Sequence, residues 1–566
     1  MIIGLDVGGT HTDVVLLGSE GPVKQIKVST NPSDLFGTVL EGLKRVMEGV
    51  DPESITRAVL STTLATNTIV QKKTEDVGMI VSAGPGIDPE LFRTGPYYFT
   101  VSGAVDHRGR EITPIDEDEI REAAKKMKNA GIRYVGVVSK FSVRNPDHET
   151  SIEKIIQGDF SRVFLGHRIS GNLNFPRRIA TTLLNASVYP VHKDFFEAVE
   201  KSLAKKGLDI PIRILKPDGG TMQFKNSIDY PASAILSGPA ASVMGSVAFS
   251  PKDNACLVLD IGGTTTDMAI IIDGAPVLDP IGITIGEHKT LIRSLKTHSI
   301  GVGGDSAVRV EKGEICIGPD RIGLAMAYGG PMPTPTDALF ILGMGENGDR
   351  KKSEEGLSPL AKALGVDLKE AATRIFDKAC RLILDGAREM IDRINEKPVY
   401  TVHELWEGHQ INPESILVLG GPAPWFAKRL AQLSDNKVDV VPRWKVANAI
   451  GAALARTTCE VTMFADTEQE IATAPEEEYI RDIPNSSTKD DIITAALELL
   501  EEKAVKRGAD PEHLELEIIE AMQFNMVRGF YTTGKNIRVR VQVKPGLIHG
   551  YDPVAEKMVC EPCSWG

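Results

Sequence analysis

The chain carries two copies of one ten-residue segment, far apart in the sequence. The first reads Leu5-Asp-Val-Gly-Gly-Thr-His-Thr-Asp-Val14, and the second reads Leu259-Asp-Ile-Gly-Gly-Thr-Thr-Thr-Asp-Met268. Apolar residues flank both copies, so each predicts a strand, a tight Gly-Gly turn and a returning strand, which together make a β-hairpin. Two such hairpins in one chain indicate two related half-domains that face a single nucleotide.

The residues of the repeated segment suit a phosphate and its metal ion. Paired glycines let a phosphate approach the backbone and expose N–H donors, and the threonine hydroxyls add neutral donors. An aspartate at the end of the first strand can hold Mg²⁺ directly or through water. The aspartates in that position are Asp6 and Asp260.

Length and composition narrow the class of protein. At 566 residues the chain is too long for one core, and its formal net charge of −13 argues against non-specific nucleic-acid binding. No apolar run reaches the roughly 18–20 residues that span a bilayer, and the N-terminus shows no signal peptide. We therefore expect a cytoplasmic protein.

The six cysteines are too dispersed for a disulfide scaffold. The Cys560-Glu-Pro-Cys563 motif lacks the second ligand pair that a metal site of this kind would need.

The order of predicted elements indicates α/β layers. After an opening meander, strands alternate with helices over about the first 230 residues. Two helices rich in small residues, 236–248 and 446–455, bracket the second hairpin and are predicted to cross between two lobes. Beyond about 460 we predict one helix, 490–507, two strands, 514–519 and 537–543, and a polar, turn-like segment around 476–481. Separate helices are predicted over 177–188, 195–205 and 359–363.

Two further Gly-Gly turns belong to the second half. Gly303 and Gly304 lie in a glycine-rich loop, and Gly420 and Gly421 follow the predicted strand 415–419. The second turn can lay its backbone against an adenine or a ribose, but any tight turn from a strand into a helix can use two glycines.

A set of motifs in fixed order resembles the hydantoinase A / 5-oxoprolinase family, which includes the β-subunits of acetone carboxylases. The resemblance covers about residues 1–456 and implies an α/β fold of two RNase H-like lobes of the actin, Hsp70 and sugar-kinase type. We expect a first lobe with an inserted α/β region over 1–235, a second over 236–456, and a small α+β appendage over 457–566. The motifs are Asp6–Asp13, Ser61–Asn67, Asn145–Glu149, Ser237–Ala241, Asp260–Asp267 and Gly329–Ala338.

The resemblance implies ATP-dependent activation of a carbonyl oxygen. In a hydrolase the amide oxygen of a hydantoin, oxoproline or lactam is phosphorylated before the ring opens, and in a carboxylase a ketone enol and bicarbonate are phosphorylated. A small-molecule kinase and a non-enzymatic ATP-gated scaffold are the alternatives. The resemblance also implies ATP and Mg²⁺ as cofactors, an oligomer, and a partner that is a B-type or carboxylase subunit.

The resemblance assigns roles by position. Asp6 and Asp260 would carry Mg²⁺. Asp13 and Asp267 would orient a nucleophile or accept its proton, or instead bind the N–H groups of their own turns. The predicted nucleotide-contacting residues are Gly8, Gly9, Thr10, His11, Gly262, Gly263, Thr264, Thr265, Gly303, Gly304, Gly420 and Gly421.

Some residues depart from the family pattern or have two interpretations. His11 stands where the family has phenylalanine, and either fills the same apolar slot or acts as a pH-sensitive donor to phosphate. The loop Gly301–Ser306 has Asp305 where the family has glycine. His148 and Glu149 could cap a helix or face the substrate, and Asp218-Gly-Gly220 could be a substrate loop or a plain turn.

Overall fold

The computed structural model describes residues 1–9, 11–31, 33–62, 64–70, 73–205, 210–279, 281–396 and 410–560. Thr10 and Cys563, both singled out from the sequence, lie outside these ranges. The four cysteines whose thiols are described, Cys256, Cys316, Cys380 and Cys459, are all free. No helix within the described ranges is long and apolar enough to cross a membrane.

The N-terminal part is built on two sheets joined by long helices. Its strands are β1 (Ile2–Val7), β2 (His11–Gly18), β3 (Gly21–Ser29), β4 (Arg57–Thr62), β5 (Val77–Ser82), β6 (Tyr98–Thr100), β7 (Ala104–Val105), β8 (Glu111–Thr113), β9 (Tyr134–Ser139), β10 (Arg162–Leu165), β11 (Ile212–Leu215) and β12 (Thr221–Gln223). Its helices are α1 (Leu35–Met47), α2 (Leu64–Val70), α3 (Glu117–Asn129), α4 (Asp147–Ile156), α5 (Gly166–Ile169), α6 (Phe175–Lys205) and α7 (Phe224–Ser227).

The first sheet has the strand order β12-β11-β4-β1-β2-β3. Strands β1, β2 and β3 pair antiparallel, whereas β1, β4 and β11 run parallel. β1 and β4 are buried almost throughout because helices cover both faces, and they accordingly read as apolar runs. The inserted α/β region forms a second, parallel sheet of order β10-β9-β5-β6.

The second lobe follows the same plan. Its strands are β13 (Cys256–Ile261), β14 (Thr266–Ile272), β15 (Ala275–Pro276), β16 (Thr284–Ile285), β17 (His288–Lys289), β18 (Thr297–Ile300), β19 (Val308–Glu311), β20 (Glu314–Ile317), β21 (Ser415–Leu419) and β22 (Lys437–Val440). Its helices are α8 (Ser237–Val247), α9 (Pro335–Ile341), α10 (Arg350–Leu364), α11 (Leu368–Asn395), α12 (Ala423–Leu433) and α13 (Ala447–Leu454). The order β15-β14-β13-β21-β22 repeats, in direction and connection, the order β3-β2-β1-β4-β11 of the first lobe.

The two small-residue helices cross between the lobes, as predicted. A Cβ added at Gly451 of α13 would lie 2.2 Å from the carbonyl oxygen of Ala241 on α8. A Cβ at Gly245 of α8 would lie 2.2 Å from the carbonyl oxygen of Ala447. The backbones therefore touch, and α8 and α13 share one core with Val59 of the first sheet and Val258 of the second.

The C-terminal part is an α+β body, as predicted. Strands β23 (Glu460–Asp466), β24 (Ile471–Ala474), β25 (Tyr479–Asp482), β26 (Leu516–Arg528) and β27 (Tyr531–Val543) form an antiparallel sheet of order β25-β24-β23-β27-β26. Helix α14 (Lys489–Lys506) packs on this sheet, and α15 (Asp552–Cys560) ends the described chain.

Several elements differ from the sequence prediction. The two helices predicted over 177–188 and 195–205 form the single helix α6, which continues through Pro190 because it packs on both N-terminal sheets. α10 likewise begins nine residues before Pro359, with which the predicted helix began. The segment predicted as turn-like around 476–481 contains β25, a mostly exposed edge strand whose polar composition hides it.

Candidate functional site

Each repeated segment folds into the predicted hairpin. In the first, Asp6 faces Asp13 across β1 and β2, and the N–H of Gly8 donates to the carbonyl of His11 at 3.1 Å. In the second, Asp260 faces Asp267, and Gly262 donates to Thr265 at 2.9 Å. The same hydrogen bond thus closes both turns.

The turn hydrogen bonds bear on the predicted phosphate contacts, which stay a prediction. The N–H groups of Gly8 and Gly262 already donate within their own turns. Gly9 has open space around it, since no heavy atom would lie within 4 Å of an added Cβ. The backbone donors toward a phosphate are therefore expected one residue further along each turn, at Gly9 and Gly263.

Asn448 joins the two hairpins. Its amide nitrogen donates to Oδ2 of Asp6 at 3.2 Å, and the same side chain lowers the pKa of Asp260. Asn448 lies in the first turn of the crossover helix α13, where the other side chains are apolar and small. Asn448 was not predicted as a site residue, although it is the one polar side chain of the predicted helix 446–455.

Of the two aspartates at the strand ends, Asp6 is buried and Asp260 is half-buried. Burial raises the pKa of Asp6 to about 6, against a hydrogen bond from Ser61. Burial also raises the pKa of Asp260 to about 7, opposed by a hydrogen bond from Ser242 and reinforced by the negative charges of Asp267 and Asp6. Two facing carboxylates whose ionisation is this unfavourable form a site that a cation would stabilise.

Serine residues from two of the family motifs meet beside Asp6. Ser61 on β4 is paired in register with Asp6 on the neighbouring strand β1. The hydroxyl of Ser237 accepts the N–H of Thr62 at 3.1 Å and donates to the carbonyl of the same residue. The motifs that begin at Ser61 and Ser237 therefore fasten the start of α8 to the edge of the first sheet.

The second hairpin is supported by the predicted glycine loops. Gly304 donates to the carbonyl of Gly262 at 2.9 Å, and a Cβ at Gly303 would lie 2.6 Å from that same oxygen. Gly420 has a φ of +95°, and a Cβ there would lie 2.7 Å from Oδ1 of Asp260. The structure thus brings both loops to the second hairpin, and only glycine fits where they approach it.

An ion pair not expected from the sequence lies at the same turn. Arg321 contacts Oδ2 of Asp305 at 2.8 Å and the hydroxyl of Thr264 at 3.4 Å. Asp305 is the residue that stands where the resembling family has glycine. The guanidinium of Arg321 therefore lies beside the turn of the second hairpin, paired with the carboxylate of Asp305.

The second aspartate of each hairpin has a different environment. Asp13 lies opposite Lys27 and contacts its amine at 2.7 Å, whereas Asp267 accepts a hydrogen bond from Ser299. Burial raises the pKa of both carboxylates, and Lys27 opposes this effect for Asp13. The two copies are thus unequal, because only Asp13 has a cation beside it.

Two of the alternative interpretations are resolved. His11 is exposed at the start of β2, so it does not fill an apolar slot. Glu149 is fully buried and accepts the N–H groups of Ser139 and of His167 in the first turn of α5, so it makes internal contacts and does not face solvent. His148 pairs with Glu111 at 2.7 Å.

The residues present fit a nucleotide and a hydrated cation. Within the described ranges no group of three or more His, Cys, Asp or Glu is placed to hold a metal ion. Two facing carboxylates are nevertheless a suitable set for Mg²⁺, which keeps most of its waters and binds substrate phosphates directly. The open space at Gly9 and at Gly421 leaves room for a ligand along the cleft.

Comparisons with known proteins agree with this architecture. The hydantoinase/oxoprolinase family model matches residues 178–461, and that of the hydantoinase/oxoprolinase N-terminal region matches residues 2–160. The caprolactamase subunit alpha of Pseudomonas jessenii is 24% identical over 80% of this chain and 69% of its own length. The acetophenone carboxylase gamma subunit of Aromatoleum aromaticum is 24% identical over 93% of this chain and 77% of its own length.

Solved structures share the fold. The ATP-dependent caprolactamase of Pseudomonas jessenii has a TM-score of 0.72 at 18% identity, covering 97% of this chain and 88% of that one. Nucleotide-free acetone carboxylase has a TM-score of 0.68 at 18% identity, covering 98% and 88%. The family matches, the order of motifs and the paired hairpins lead to one conclusion: this chain belongs to the hydantoinase/oxoprolinase family.

Proposed function

We propose that this chain is an ATP-hydrolysing subunit that phosphorylates the carbonyl oxygen of a cyclic amide of the hydantoin, oxoproline or lactam type, for ring opening. The observation that carries the proposal is the position of Asn448, which donates to Asp6 and lowers the pKa of Asp260. It draws the two phosphate hairpins into one cleft, so that a single triphosphate can contact both.

The roles of the residues follow from their positions. Asp6 and Asp260 would hold Mg²⁺, which neutralises the charge of the triphosphate when bound. The turns at Gly9 and Gly263 would donate to the β- and γ-phosphates, and Thr10, Thr264 and Thr265 would add hydroxyl donors. Arg321 would stabilise charge that develops on the γ-phosphate.

Asp267 is our candidate for the proton acceptor. Its hydrogen-bond partner Ser299 is neutral, and burial raises its pKa, so its carboxylate is more basic than an exposed one. Asp13 is held by Lys27 and would instead orient groups in the first turn.

The test measures phosphate release with ATP, Mg²⁺ and a panel of hydantoins, lactams and ketones. We expect one class of cyclic amide to stimulate release, and Asp260→Ala to abolish turnover without unfolding the protein. A stable phosphorylated product would favour a small-molecule kinase. Phosphate release that no small molecule changes would favour an ATP-gated scaffold. If Asp260→Ala retained turnover, the assignment of Asp260 as a metal ligand would be wrong.

A carboxylase subunit is the second candidate function. It is supported by the similarity to the acetophenone carboxylase gamma subunit along 93% of this chain. In that case ATP cleavage should require bicarbonate together with a ketone, and labelled bicarbonate should appear in an acid-stable product.

We also propose that the chain works with a partner subunit and forms an oligomer. Both curated relatives above are named as subunits, caprolactamase alpha and acetophenone carboxylase gamma. Purifying the chain with a co-expressed B-type or carboxylase subunit tests this, since a stable complex should elute together on size exclusion. Separate elution, with full activity of this chain alone, would contradict it.

A further inference from the structure

A charged cavity of about 100 Å³ lies where the lobes, the inserted region and the C-terminal body meet. The first lobe provides the loop that begins at Lys216, the second lobe the segment 291–293, and the C-terminal body parts of β23 and α14. The charged residues of its wall include Lys216, Asp218, Arg293, Glu460, Glu476 and Arg507. None of them belongs to the phosphate hairpins.

The cavity lies at the same sheet edge as the first phosphate hairpin. β1, β4 and β11 run parallel, so the residues that follow them emerge at one edge. Gly8 follows β1, and Lys216 follows β11, two strands away. Because neighbouring strands are about 4.8 Å apart, this separation is roughly 10 Å. One wall of the cavity and the first hairpin therefore lie at the same edge of the sheet, about two strand spacings apart.

The wall on the first-lobe side is fixed by hydrogen bonds of Lys216 and Asp218. The amine of Lys216 donates to Oδ2 of Asp218 at 2.9 Å and to the carbonyl of Thr458 at 3.0 Å. Asp218 also accepts the N–H of Gly220 and the hydroxyl of Thr458. Although burial opposes it, the charges of Lys216 and Arg293 hold the pKa of Asp218 at about 2.

Arg293 faces this wall from the second lobe, and its donors, unlike those of Lys216, make no hydrogen bonds within the described ranges. Its Nε, Nη1 and Nη2 atoms are all buried, yet none makes a hydrogen bond with any residue that the structure describes. The nearest carboxylate oxygens, of Asp218 and Glu460, are each 3.5 Å away. A guanidinium presents a planar set of donors that matches a carboxylate, so these unused donors indicate an oxyanion ligand.

The remaining charges leave the cavity receptive to an anion. Lys503 contacts Glu477 and donates to the carbonyl of Glu460, and Arg507 lies over the ring of Tyr230. Burial raises the pKa of Glu476 to about 8, so this side chain is mostly uncharged near pH 7.

We propose, on the basis of the function proposed above, that this cavity is the acceptor site and that Arg293 there binds a small planar oxyanion. Two sources share this chemistry: the carboxylate of a cyclic amide that bears one, and bicarbonate. A neutral lactam would leave the buried guanidinium without a hydrogen-bond partner, which is unfavourable. Since Arg293 and Lys216 come from different lobes, an acceptor held here contacts both lobes.

The test measures binding to the full chain without ATP. Calorimetry and thermal shift compare 5-oxoproline, its neutral analogue 2-pyrrolidinone, bicarbonate, and chloride at equal ionic strength. We expect 5-oxoproline or bicarbonate to bind, and the neutral ring and chloride not to bind. Binding of 5-oxoproline would identify a carboxylate on the ring as the source, and binding of bicarbonate alone would identify a carboxylase.

Variants localise the binding. Arg293→Gln should weaken it about ten- to hundredfold, the loss expected for a charge-assisted hydrogen-bond pair. Arg309→Gln is the matched control, because it removes an arginine of the same lobe that pairs with Asp320 outside the cavity. Arg293→Lys, which keeps the charge, should retain part of the affinity and guards against a folding defect in the first variant.

The proposal is overturned if the neutral ring binds as tightly as 5-oxoproline, if no oxyanion binds, or if Arg293→Gln binds like the wild type. Phosphate release, measured in parallel, separates this result from the proposed function. If a neutral lactam stimulates phosphate release independently of Arg293, the proposed function is supported and the proposed oxyanion site is refuted. If an oxyanion binds through Arg293 but never stimulates phosphate release, the oxyanion site is supported and the proposed function is refuted.

Discussion

Replacing Asp260 by asparagine should make the nucleotide-free protein more stable and abolish its ATP turnover. Asp260 is half-buried near the end of β13, opposite Asp267, and desolvation raises its pKa to about 7. Asparagine has the same shape and can still accept the hydrogen bond from Ser242. The substitution therefore removes a negative charge that destabilises the folded state and that would bind the metal ion.

The magnitude follows from the two pKa values. An unfolded chain releases the Asp260 proton near pH 3.8, whereas the folded chain keeps it until about pH 7. Stability is therefore lost as pH rises through this window. The ionisable group lowers the free energy of unfolding by about 2 kcal/mol at pH 5.5 and about 4 kcal/mol at pH 8. The neutral amide of the Asp260→Asn variant would carry no such dependence.

Thermal unfolding of wild type and Asp260→Asn at pH 5.5 and pH 8, without nucleotide, measures this effect. The melting temperature of the variant should exceed that of the wild type at both pH values, and the difference should be larger at pH 8. Asp385→Asn, an exposed aspartate on α11, is the control and should change little at either pH. A variant that is less stable than the wild type at pH 8, or a gain independent of pH, would falsify the argument that burial of this charge destabilises the fold.

Three further substitutions test the cleft and the crossover. Asn448→Ala should lower phosphate release about ten- to hundredfold, since it removes the hydrogen bond to Asp6 and the side chain that lowers the pKa of Asp260. A rate within twofold of wild type would show that the hairpins do not need Asn448. Gly420→Ala should also reduce turnover, because its φ of +95° and the 2.7 Å approach to Asp260 exclude a side chain, whereas turnover unchanged from wild type would refute that close approach. Gly451→Leu should lower the free energy of unfolding by about 1–3 kcal/mol or more, seen in a thermal melt, while Gly158→Ala, which has open space, should not.

Much of the fold could be predicted because local sequence decided it. The Gly-Gly turns and their flanking apolar runs specify both hairpins, and the hairpin register alone places Asp6 opposite Asp13 and Asp260 opposite Asp267. The runs of small residues likewise predicted the crossover helices.

Other features could not be predicted because they depend on packing between distant segments. Pro190 signals the end of a helix, yet α6 continues through it since two sheets bury its sides. β25 reads as a turn, yet it pairs with β24. The residues around Arg321 in the sequence do not distinguish it from other surface arginines. Its contact with Thr264, which is far away in the chain, places it at the second hairpin.

The sequence by itself determined that this protein has two matching Gly-Gly hairpins, since a turn and its two strands are short-range structures. Only the tertiary structure decided that the hairpins share one cleft, because that depends on the backbone contact of α8 with α13 and on where it places Asn448. The same holds for Arg293, whose unused donors meet Lys216 and Asp218 only when the two lobes pack together. Distances between segments far apart in the chain are set by the whole packed core, and no short stretch of sequence encodes them.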